Sequence, residues 1–145
     1  MKYGLVGRGD RIAVTLLRIS LGAMYLSHSI VLKLATFGLT ASVNYFTSLG
    51  LPGWLTYVVI GMEIGGGLLL MANIATPWVS IALMPILLGA MWVHAPNGWV
   101  FNAQGGGWEY PLLLIVVSIA LVLLSPPKAK KVSAHFDPDY DVAFF

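Results

Sequence analysis

Cysteine is absent from the 145 residues, which excludes disulfides, thiolate nucleophiles, thiol redox chemistry and cysteine-ligated iron–sulfur clusters together. Charge is nearly as scarce. Only 10% of residues are Asp, Glu, Lys or Arg, against roughly a quarter in a soluble domain. The stretch from Leu34 to Pro127 carries Glu63 and Glu109 and no other formal charge. The 8 Lys and Arg gather toward the two ends instead of forming one patch, which speaks against nucleic-acid binding. No internal repeat is visible, so inverted halves of the transporter kind are not indicated.

What is present is apolar: 58% of residues are hydrophobic and the mean hydropathy is +0.83. The solvent of such a fold is lipid, and a chain of this length has room for about four spans of ~20 residues with no separate soluble domain. The expected fold is all-α, an integral membrane four-helix bundle formed by residues 1–131 with spans at 12–34, 52–72, 75–93 and 108–125. Lys2 and Arg8 before an apolar run imitate a signal peptide, but the run is too long and lacks a small-residue cleavage site, so it stands as the first span. Pro52 and Pro77 suit first helical turns, Pro85 should kink the third span, and Pro126 and Pro127 end the fourth. Between spans one and two, residues 38–50 form a short amphipathic segment expected to lie along the interface. Lys2, Arg8 and Arg11 precede the first span, and Lys128, Lys130 and Lys131 follow the fourth, so both termini are expected in the cytoplasm. Residues 132–145, polar and then aromatic, read as a solvated or partner-docking tail.

A rise of ~1.5 Å per residue sorts the polar side chains by height. Arg18 and Glu63 stand roughly 10 and 13 Å above the inner side, level enough for an ion pair. His28, His94 and Glu109 stand at roughly 24 to 28 Å, with Lys33 just above. At ~100° per residue Arg18, Gly22, Tyr25, Ser29 and Lys33 share a stripe, as do Thr56, Glu63 and Gly67 on the next span. Gly61, Gly65, Gly66 and Gly67 read as packing surfaces. An ionisable group at bilayer depth is a functional candidate by default. The bland readings are a structural Arg18–Glu63 pair, interfacial histidines, a snorkelling Lys33, a Glu109 placed by the helix dipole, and Tyr25, Trp92, Trp99 and Trp108 as belt or core aromatics.

The run Arg18-Ile-Ser-Leu-Gly22 leading to His28 and Lys33, then Ser48-Leu-Gly-Leu-Pro52, Glu63-Ile-Gly-Gly-Gly67, His94 before an Asn/Gly loop, and Glu109 resembles the DoxX family of small four-span membrane proteins. The resemblance covers about residues 12–125. Ser29 stands where many members carry glycine, and so does Asn73. The resemblance implies a membrane partner in quinone or oxidative-stress metabolism, and it lends suspected functional status to Arg18, His28, Lys33, Glu63, His94 and Glu109. The expected location is the cytoplasmic (inner) membrane of a prokaryotic cell.

Two principal functions fit. One is a quinone-linked oxidoreductase subunit, with His28, Glu63, His94 and Glu109 carrying proton chemistry and Arg18, Tyr25, Lys33 and Trp92 lining the quinone site. No flavin or haem motif is visible, so electrons would come from partner subunits or a soluble donor. The other is a non-catalytic structural or assembly subunit of a larger membrane redox complex. Haem b between His28 and His94, a metal on His28, His94 and Glu109, and a small exporter coupled through Glu63 are further alternatives. The metal alternative lacks any diagnostic ligand spacing.

Overall fold

A computed structural model of the chain describes residues 8–125, and among them every regular element is helical. Lys2, Lys128, Lys130, Lys131 and the tail of residues 132–145 lie outside the described residues. The first rod is α1, Arg8–Leu26, continued without a break by a π-helix, Ser27–Thr36. Gly38 at φ 81° turns the chain into α2, Leu39–Ser48. Then come α3, Trp54–Met71, α4, Thr76–His94, and α5, Glu109–Leu124. Three of these rods are long and apolar enough to cross a bilayer, and α5, at 16 residues, is a shorter apolar helix. The architecture is the helical membrane bundle expected from the sequence.

α1 packs on α3 and α4 on α5, while α3–α4 and α1–α5 contacts close the ring. Leu21, Leu70, Leu83 and Leu121 fill the centre at 2% exposure or less. Outward-facing Leu16, Trp78, Val116 and Leu123 are more than half exposed, which in a lipid solvent carries no penalty. α2 lies against α3 and the π-helix with Tyr45 outside and Ser42 inside. The α3–α4 link is tight enough to force Asn73 and Ala75 into the left-handed region, at φ 60° and 48°.

The α1–α3 register is set by glycine. A Cβ on Gly22 would stand 2.7 Å from the Gly67 carbonyl, and one on Gly67 would stand 2.9 Å from the Gly22 carbonyl, so the two backbones touch. A Cβ on Gly66 would meet the Leu83 side chain at 2.7 Å, fixing α3 against α4. Gly61 and Gly65, read from the sequence as a packing motif, face open space instead, because the contact stripe runs through the next two glycines.

The glycine register corrects one expectation outright. With Gly22 opposite Gly67 in antiparallel helices, Arg18 comes level with Met71, and Glu63 comes level with Leu26, two turns away. Arg18 therefore does not pair with Glu63. Its guanidinium donates to the carbonyls of Leu70 and Met71 at 3.1 and 2.8 Å, in the last turn of α3 where a cation is favoured.

Candidate functional site

Glu63 is 4% exposed, and its partners come from the π-helix. Lys33 forms an ion pair with its Oε2, and the Ser29 hydroxyl donates to the same oxygen. Both reach it because residues four apart lie on one face of the helix, and here that face is turned toward α3. The backbone here has the wider π spacing, with Phe37 N–H donating to Leu32 O, and the Thr36 side chain adds a bond from its Oγ1 to Val31 O. From α2, Ser42 donates to the Lys33 carbonyl at 3.0 Å, tying the interfacial helix to this turn. A carboxylate this deep in an apolar bundle is tolerable only with such partners.

Beside this pair a cavity of about 1100 Å³ opens in the half of the bundle nearer the α4–α5 loop, the outer half on the orientation expected from the sequence. Of the sequence candidates, Tyr25, His28, Lys33, Glu63, Trp92 and His94 line it, so side chains from α1, the π-helix, α3 and α4 converge there. Most of the remaining wall is apolar, with Met24, Phe46, Val59, Ile86 and Leu114 among it. Arg18 is buried at the other end of α3, and Glu109 stands outside the cavity wall and accepts the Phe101 N–H at 2.9 Å.

The two histidines are held differently. The His28 ring stacks on Tyr110 of α5, with centroids 6.1 Å apart and planes 16° from parallel. His94 Nδ1 lies 3.0 and 3.1 Å from the Gly105 and Gly106 carbonyls. Carbonyls only accept, so Nδ1 carries a proton and Nε2 is left to take or release one. Asn97 Nδ2 donates to the same two carbonyls at 2.9 Å, which fixes the Asn/Gly loop that orients the ring. Among the described residues, no group of three or more His, Cys, Asp or Glu is arranged to hold a metal ion.

Sequence reasoning passed over three contributors. Ser29 was visible on the stripe of Lys33, but only the α1–α3 register makes it a Glu63 donor. Tyr110 and Ser42 gave no signal, since each acts through a partner on another helix.

Comparison with known proteins gives the family of the chain. The DoxX family model matches residues 13–96. A protein of Bacillus subtilis (strain 168) named "Putative oxidoreductase CatD" is 31% identical over 118 residues, which cover 80% of this chain and 83% of that protein. No solved structure matches.

Proposed function

This chain belongs to the DoxX family, and we propose that it serves a membrane redox system by binding a quinone in the outer cavity. The observation that carries this reading is the convergence of Lys33, Glu63, His28 and His94 on one apolar cavity within a membrane bundle. A quinone needs an apolar slot for its ring, donors for its carbonyl oxygens and a route for protons, and the lining residues suit each need. The similarity to a relative named as an oxidoreductase points the same way.

Converting a quinone to its quinol consumes two electrons and two protons. The electrons come from a redox partner, soluble or membrane-bound. The chain's own residues bind and protonate. Lys33, paired with Glu63, offers a cationic donor to a carbonyl oxygen. His94 takes and releases a proton at Nε2 while its Nδ1 stays anchored to the loop, and Glu63 supplies the second ionisable group. His28, braced by Tyr110, presents a flat face against which a ring can lie.

The test is ligand-dependent unfolding of the purified protein in detergent. A quinone present at about 100 times its Kd stabilises the folded state by about 2.7 kcal/mol, so the melting curve rises with concentration. His94→Ala and Lys33→Met are expected to remove most of the rise. A melting curve unmoved by every benzoquinone and naphthoquinone tried would end the proposal.

A further inference from the structure

We propose that the outer gap between α3 and α4 is a lateral portal, through which a hydrocarbon-tailed ligand reaches the cavity from the bilayer and in which its tail remains seated. The inference rests on the quinone reading for the head of the ligand, and adds to it the place of the tail.

Below, α3 and α4 are closed against each other by Gly66 and Leu83. Above that contact the antiparallel register brings residues 55–63 of α3 to face residues 86–94 of α4. These facing stretches line the cavity: Leu55, Val59 and Met62 on one side, Ile86, Gly89 and Val93 on the other. Val58 and Met62 are 43% and 37% exposed, and Trp92 is 61% exposed, while all three line the cavity. A residue that lines a cavity and also meets the outside marks where the two join; Phe37 and Tyr45 do so beside α2 as well, but the gap between α3 and α4 is the one flanked by two long apolar helices. Pro85, two residues past the last close contact, removes a backbone hydrogen bond from α4 where the helices part.

The occupant follows from what borders the gap. It faces the lipid side of two membrane helices, its walls are apolar, and it leads inward to a carboxylate, a lysine and histidines. A molecule suited to it has a polar ring at one end and a hydrocarbon chain at the other. Gly89 keeps the passage wide: a Cβ built there meets nothing within 4 Å.

The experiment compares two benzoquinones with the same head, one with a methyl group and one with a decyl chain, by binding to the full-length protein in nanodiscs. The decyl form is expected to bind roughly tenfold or more tightly, from the apolar surface it buries. Gly89→Phe should abolish that preference and leave the methyl form's affinity unchanged, and Val58→Trp should act likewise from the opposite wall. Gly61→Phe, on the lipid face where an added Cβ also meets nothing, should change neither affinity. Equal affinities for both quinones, or a preference that survives both portal variants, overturns the portal while leaving the quinone site standing. Binding of neither overturns the quinone reading as well. A phospholipid retained in native mass spectrometry and not displaced by the decyl form would assign the gap to an acyl chain, and likewise overturn the proposal.

Discussion

The inner and outer halves of this bundle are built from similar residues and do opposite things with them. In the inner half Gly22 and Gly67 bring two backbones into contact, Gly66 receives Leu83, and Arg18 spends its charge on the last carbonyls of α3. In the outer half Gly89 borders empty space, and a second cation, Lys33, holds a carboxylate against a cavity of about 1100 Å³. The same residue types close one end and open the other, the difference being what stands opposite each. A helix that must be held in register somewhere leaves the remainder of its length free to diverge. Rigidity below is what permits an unfilled volume above, because a bundle loose at both ends would collapse into its own cavity.

The largest effect is expected in the outer half. Lys33→Met strands Glu63, 4% exposed, without its cation, and breaking a buried pair from one side costs about 3–5 kcal/mol. Removing both charges, Lys33→Met with Glu63→Gln, should restore most of that loss while still abolishing quinone-dependent stabilisation. Unfolding monitored in detergent separates the two contributions. A single Lys33→Met variant as stable as the parent would mean that the outer half does not depend on this pair.

The glycines give the next test, and it addresses the contrast directly. Gly22→Leu drives a side chain into the Gly67 carbonyl and the Met71 side chain, an overpacking expected to cost at least about 1–3 kcal/mol. Gly61→Leu, where nothing stands within 4 Å, should change stability by no more than about 0.5 kcal/mol. If the two substitutions were equally harmful, contact at Gly22 would not be what sets the α1–α3 register.

Much of the fold could be read directly. Apolar length announced the spans, and the polar stripe from Arg18 to Ser29 pointed inward as helical phase required. Pairing across helices was harder. Counting heights from assumed span ends put Arg18 beside Glu63, yet a slip of two turns in register exchanges the partner altogether, and the register was set by which glycines touch. Gly61 and Gly65 have the spacing of a packing motif and pack against nothing, whereas Gly22 and Gly67 touch across two helices with no shared local pattern. Ser29 and Lys33 shared a stripe in the sequence, but without the register their meeting with Glu63 was not visible. The cavity was less legible still, because empty space is a property of facing residues that fail to meet.

Glu109 offers the smallest and most discriminating effect. It shares its height with His28 and His94, and that made it a candidate beside them. Its carboxylate instead accepts the Phe101 amide, and its side chain stays off the cavity wall. Glu109→Gln keeps an acceptor for that amide and removes only the charge at the N-terminal end of α5, a change of about 0.3–1 kcal/mol through the helix dipole. Quinone-dependent stabilisation should therefore persist in Glu109→Gln and vanish in His94→Ala, although the two side chains lie at similar depth. Loss of ligand response in both variants would make height the governing variable and place the proton route along the loop. Loss in His94→Ala alone ties function to the cavity wall, where the outer half departs from the inner.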